Sequence, residues 1–93
     1  MIMYIYIIKC EGSDFYKIGS SSNPSFRRDV LQIGCPYLLR VVYTVKCPAK
    51  EKHQSVEKAL QSRYQHKRHW GEWFELSPED IQHIKEITTP KSL

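Results

Sequence analysis

At 93 residues the chain is too short for two independent hydrophobic cores and is read as a single domain. A hydrophobic share of 41% with 26% charged residues is the balance of an ordinary globular protein and excludes disorder throughout. Fourteen Lys and Arg against ten Asp and Glu give a formal charge of +4, which favours a polyanionic partner.

Residues 3–8 are β-branched and aromatic with tyrosines at alternate places, the pattern of a strand. Glu11, Gly12, Ser13 and Asp14 form a turn cluster that closes a hairpin onto a returning strand at 15–18. Asn23 is a good N-cap and Pro24 a good first residue for a helix over 24–32, which Gly34, Cys35 and Pro36 stop. The β-branched run 38–46 is a further strand, closed by Pro48. Residues 49–65 lack glycine and proline, and Val56, Leu60 and Tyr64 recur on one stripe of an amphipathic helix. His53 and Glu57 share a side of that helix. Residues 66–71 read as a loop and 72–76 as a short strand or extended bridge. Ser77, Pro78, Glu79 and Asp80 are the cap and first turn of a last helix that ends near residue 87. The tail 88–93 is expected to fray. The predicted fold class is α+β, a small, mainly antiparallel three-stranded sheet flanked by helices, with 1–87 as its one domain.

Cys10, Cys35 and Cys47 lack the C-x-x-C spacing of a zinc knuckle or redox pair and read as free thiols in a reducing compartment. The apolar run 1–8 stops at Lys9, short of the roughly 20 residues that a membrane helix needs, and has no signal-peptide cleavage pattern. A cytoplasmic protein with no membrane partner is expected, or a nuclear one in a eukaryotic cell.

Five short elements occur in order: Tyr4-Ile5-Tyr6, Tyr16-Lys17-Ile18-Gly19, Arg27, Glu57-Lys58-Ala59-Leu60 and Gly71-Glu72-Trp73-Phe74. In these the chain resembles the GIY-YIG nuclease superfamily, particularly its small single-domain branch, and the resemblance covers nearly the whole sequence. It implies a hairpin and third strand with packed helices, carrying a DNA phosphodiesterase site that uses a single divalent metal, Mg²⁺ or Mn²⁺.

Phosphodiester hydrolysis needs a deprotonated water, neutralised phosphate oxygens and help for the departing oxygen. The resemblance makes Glu57 the metal ligand, in keeping with a cation that takes one or two carboxylates and retains its waters. Arg27, one turn into the first helix, has the planar fork that clamps phosphate. Tyr6 is the residue that activates or orients the water, although a phenol with an ordinary pKa near 10 needs a neighbouring cation or a metal-bound hydroxide to do so. Tyr4 shares its face by the two-residue period. The competing readings are a solvent-facing Glu57, an Arg27 salt-bridged to Asp29 or Glu51, and core packing for both tyrosines.

The chain departs from the pattern. Lys17 stands where typical members have tyrosine, and Tyr16 falls one position earlier, on the opposite strand face. Lys17 would put phosphate-neutralising charge where a phenol usually sits. Leu31 replaces a histidine or tyrosine, the late asparagine is missing, and Gln61 follows the E-x-x-L element in place of histidine. His53, one turn before Glu57, is the candidate to compensate. Glu72 is read as structural, and Trp73 and Phe74 as seals of the sheet. Tyr4, Tyr16, Arg28, Arg63, Lys67, Arg68 and Trp70 are the expected DNA contacts. Two functions follow: a divalent-metal-dependent DNA endonuclease, or a catalytically silent module of the same fold that binds DNA or a protein partner. With no room for a separate reading domain, selectivity for branched or single-stranded DNA falls to the loops, a homodimer or a partner.

Overall fold

The computed structural model describes residues 2–47 and 52–89. The second helix's expected start at 49, Pro48, Glu51 and the last four residues lie outside them. Strands β1 (Tyr4–Cys10) and β2 (Phe15–Ser21) form the central hairpin, followed by helix α1 (Pro24–Gln32), strand β3 (Leu39–Lys46) and helix α2 (His53–Arg63). One 3₁₀ turn at Gln65–Lys67 leads into β4 (Arg68–Trp70), β5 (Trp73–Glu75) and helix α3 (Pro78–Ile87).

Both hairpin strands bury four consecutive residues, Ile5 to Ile8 and Tyr16 to Gly19. A strand buried on successive residues is covered on both faces, so this pair is the middle of the molecule. The sheet has five strands in the order β3-β1-β2-β5-β4, and every neighbouring pair is antiparallel. The α+β class therefore holds, but the expected count of three strands is corrected. The stretch 66–71 carries a strand of its own, β4, which turns at Gly71 with φ +58° and pairs back onto β5. That positive φ is cheap only without a Cβ.

On one face α2 and α3 cover a core of Ile5, Ile7, Ile18, Leu60, Phe74 and Ile84. Each such side chain contributes about 1.5–3 kcal/mol by leaving water. Tyr16 belongs to this core and is buried, so it is a packing residue rather than a surface for DNA. Thr88, expected in the fraying tail, is also buried; its hydroxyl donates to Ile84 O (2.6 Å) and meets the Tyr43 hydroxyl (2.8 Å). On the other face Tyr6, Ile8 and Leu39 form a smaller cluster, with Leu31 and Trp73 against it.

Both predicted caps form. The Asn23 side chain accepts from Phe26 N at 3.1 Å, and Ser77 and Asp80 exchange bonds in a capping box. Helix α1 buries no residue completely, so apolar packing alone does not fix it. A polar latch does. Arg28 Nε donates to Leu39 O (2.6 Å) and its fork reaches Asp29 Oδ1 and Gln32 Oε1 (both 3.0 Å). Gln32 Oε1 accepts from Leu39 N (2.8 Å), and its amide donates to Tyr37 O (2.8 Å). Arg28, expected to touch DNA, is instead the clasp between α1 and β3, and so positions its neighbour Arg27. Arg28→Ala is expected to lower the unfolding free energy by about 1–3 kcal/mol, read by urea denaturation; unchanged stability would refute the clasp.

Candidate functional site

The site grows from an unfinished edge. Strand β5 pairs only with Phe15, Tyr16 and Lys17 of β2, and the rest of β2 runs on past it. Helix α2 lies beside this segment: Gln61 Nε2 donates to Ile18 O (3.0 Å), and Ser20 Oγ donates to Glu57 Oε2 (3.1 Å). The backbone N–H of Ile18 donates to Glu72 O (3.2 Å) in the β4–β5 turn. Three elements therefore meet there, each bringing a polar side chain.

Across the sheet, Tyr6 faces Gly19 in the β1–β2 register. A Cβ built at position 19 would lie 2.5 Å from Tyr6 Oη and 2.6 Å from Cζ. Glycine is thus required for the phenol to lie over β2. From there it lies close enough to the Arg27 guanidinium for that group to favour its ionisation, and it feels the opposing charges of Glu72 and Glu57. The carboxylate, guanidinium and phenol expected to act together are brought together. Arg27 itself is exposed.

Lys17 shares this face, and its side chain is only 9% exposed. Its ammonium donates to Glu72 Oε1 at 2.8 Å and lies 6.0 Å from the Trp73 ring centre. Gln61 Nε2 also approaches Glu72 Oε2 (3.4 Å). Glu72 is a central member of the cluster, where the sequence reading gave it a purely structural place. Ser20 was likewise unforeseen. The signal for Glu72 was available: a lysine standing where a phenol usually sits, on a strand buried on both faces, demands a nearby anion.

The two carboxyls differ in electrostatics. Burial pushes Glu57 up, the Ser20 hydroxyl opposes this, and the negative charge of Glu72 pushes it further up. Burial also disfavours ionised Glu72, but the hydrogen bond and charge of Lys17, with help from Gln61, outweigh it and bring Glu72 below the usual range. Where two carboxyls lie side by side, the proton that relieves their repulsion resides on Glu57. Burial raises the Tyr6 phenol against the opposing Arg27, so the hydroxyl is a neutral hydrogen-bonding group at pH 7. His53 stands close enough for its charge to act on Glu57. No group of three or more His, Cys, Asp or Glu that could hold a metal occurs among the described residues. Two adjacent hard carboxylates suit a cation that keeps most of its waters, as Mg²⁺ does, and not tetrahedral zinc.

The remaining expected DNA contacts separate. Tyr4 is half-buried on the face of Tyr6. Arg63 meets His83 Nε2 on α3 (3.2 Å). Lys67 pairs with Asp80 Oδ2 (2.5 Å). Arg68 donates to Gln65 Oε1 (3.0 Å) and Gly71 O and lies 4.9 Å from the centre of the Phe74 ring. These three cations are committed to intramolecular partners, in place of the free basic patch expected of them. Trp70 is 80% exposed.

The opposed shifts make a paired prediction. For Glu57, raised on folding, the native state holds the extra proton, so ionised Glu57 costs stability at neutral pH and the cost disappears as pH falls through its raised pKa. For Glu72, lowered on folding, stability is present above the unfolded value near 4.3 and is lost as pH falls through the folded one. Glu57→Gln should therefore stabilise the protein at pH 7 and lose that advantage at pH 4. Glu72→Gln should destabilise it at pH 7 by stranding Lys17. Denaturant titrations at the two pH values check both signs.

The family model described as the T5orf172 domain matches residues 3–88, and such domains are associated with endonuclease-like proteins. No curated protein and no solved structure matches the chain. No helix among the described residues is long and apolar enough to cross a membrane.

Proposed function

The chain belongs to the T5orf172 domain family, and from that premise we propose that it is a divalent-metal-dependent DNA endonuclease that hydrolyses phosphodiester bonds with a GIY-YIG-type site. The single observation that carries the reading is the meeting of Tyr6 with Arg27, Glu57 and Glu72, from four elements distant in sequence. Arg27 clamps the non-bridging oxygens of the scissile phosphate and takes up charge that builds there. Glu57, with Glu72 beside it, would hold Mg²⁺ or Mn²⁺, which supplies Lewis-acid charge and acidifies a coordinated water. The neutral Tyr6 hydroxyl orients the attacking water, and His53 is placed on the same helix face to take a proton from it. Lys17 adds positive charge beneath the phosphate while holding Glu72 ionised. Arg27 is exposed and Glu57 and Glu72 are half-buried, so the cluster is open to solvent on their side.

One observation favours a second reading, a silent module that binds DNA or a protein partner. Gln61, at the position where the related branch commonly has histidine, is bonded to Ile18 O and approaches Glu72, and an amide moves no proton.

Plasmid, single-stranded and branched DNA incubated with Mn²⁺ or Mg²⁺ should be cut, and chelation should stop the reaction. Arg27→Ala is expected to lower the rate on the order of 10²–10³-fold, and Tyr6→Phe about 10²–10⁴-fold. Glu57→Ala should remove metal-dependent turnover. Binding without cleavage of any substrate would establish the silent module instead.

A further inference from the structure

Beside the catalytic cluster, on the same face of the sheet, lies a cavity of about 530 Å³ between the β4–β5 hairpin and the loop after α1. Aromatic and apolar side chains line it, among them Phe15, Leu31, Pro36, His69, Trp70 and Trp73. Its position follows from strand geometry. Gly19, Lys17 and Phe15 alternate along one face of β2, about 7 Å apart at two residues per step. Gly19 lies under the Tyr6 phenol, Lys17 faces Trp73 across the β2–β5 pair, and Phe15 lines the cavity. Trp73 joins the two regions, because its ring lies 6.0 Å from the Lys17 ammonium and also forms part of the cavity wall.

We propose that this cavity holds one unpaired nucleobase next to the phosphate being cut, so that the preferred substrate is single-stranded or locally unpaired DNA. The assignment deepens the endonuclease reading and rests on it. Four aromatic rings offer flat faces, and stacking on such faces accepts any base. Phe15 and His69 already pack on each other, ring centres 4.5 Å apart and tilted by 31°, leaving the exposed Trp70, Cα partner of the half-buried Trp73, as the open ring. A ring 80% exposed at the mouth of the cavity gains most by being covered. The charges choose among occupants. The exposed Arg27 stands at the catalytic end, so a ligand that seats an apolar ring in the cavity would present its negative charge toward it. A nucleotide has that form, with a flat base attached to a phosphate. An apolar peptide segment or a second copy of this chain fills the aromatic part alone and makes no use of the exposed Arg27 guanidinium. Duplex DNA keeps its bases stacked inside and cannot offer a ring unless one is extruded.

Tryptophan fluorescence tests this, since the protein has only two tryptophans and both line the cavity. The full chain is titrated in EDTA with a short thymidine oligonucleotide, with an abasic oligonucleotide of equal length and with a duplex. The base-bearing strand should quench emission and bind roughly 5–100-fold more tightly than the abasic one, the range expected of a stacked base. Trp70→Ala should erase most of that difference while leaving abasic binding and its salt dependence unchanged. Equal affinity for base-bearing and abasic strands would overturn the base pocket while leaving the nuclease reading intact, because abasic binding reports the phosphate grip alone. Absence of binding by every oligonucleotide at low salt would overturn both. A dimer that Trp70→Ala converts to monomer in sedimentation, with no change in base preference, would assign the cavity to a second copy and overturn the proposal.

Discussion

An ammonium group taken nine-tenths out of water is tolerable only against a carboxylate, and in this fold that requirement joins elements far apart in the chain. Lys17 and Glu72, 55 residues apart, tie the middle of β2 to the β4–β5 turn. Gln61 carries the connection on to α2. Such a pair need not add net stability, because desolvation offsets much of its attraction. What it does is exclude alternatives. Any arrangement that moves the turn away from β2 strands the lysine, so Glu72 is held beside Glu57 and the two carboxyls acquire opposite tendencies toward protonation. The lowered tendency of Glu72 to take up a proton descends from this contact, and the charge it keeps adds to what burial does to Glu57.

Local signals in the sequence were read correctly, and non-local ones were not. Asn23 and Ser77 cap helices through neighbours three residues away, so residue type and spacing suffice to find them. The central hairpin was equally legible, because alternating aromatics and a turn cluster specify it within twenty residues. Strand β4 was missed because three residues, Arg68, His69 and Trp70, carry no periodicity. Its existence depends on β5, which in turn depends on the edge of β2. Sequence likewise overstated the free positive charge. Arg28, Lys67 and Arg68 look like a basic surface when written out, yet each finds its acceptor only after folding. For the cluster itself, Tyr6, Arg27 and Glu57 were identified by resemblance. Glu72 was passed over because its partner lies on another strand.

The short reach of β5 is what makes room for the chemistry. A strand pairing with β2 along its whole length would occupy the edge at Ile18 and keep α2 away. Instead that carbonyl is answered by a side chain, Gln61, and the helix that bears Gln61 also bears Glu57. The backbone's need for hydrogen-bond partners thus doubles as a positioning device: satisfying a leftover acceptor on the sheet sets the distance at which a carboxylate stands from the phenol across it.

The central hairpin has two unlike sides. Its larger apolar cluster packs under α2 and α3, whereas the other side holds three fully buried hydrophobics and a helix fastened by polar contacts. Apolar cohesion is thus concentrated under α2 and α3, while α2 also carries Glu57 and Gln61 to the sheet edge where the polar cluster forms. The exposed positions of that other side, Arg27 and Trp70 among them, carry little of the packing and can change at small cost to the folded state, whereas the Arg28 clasp and the Lys17–Glu72 pair cannot.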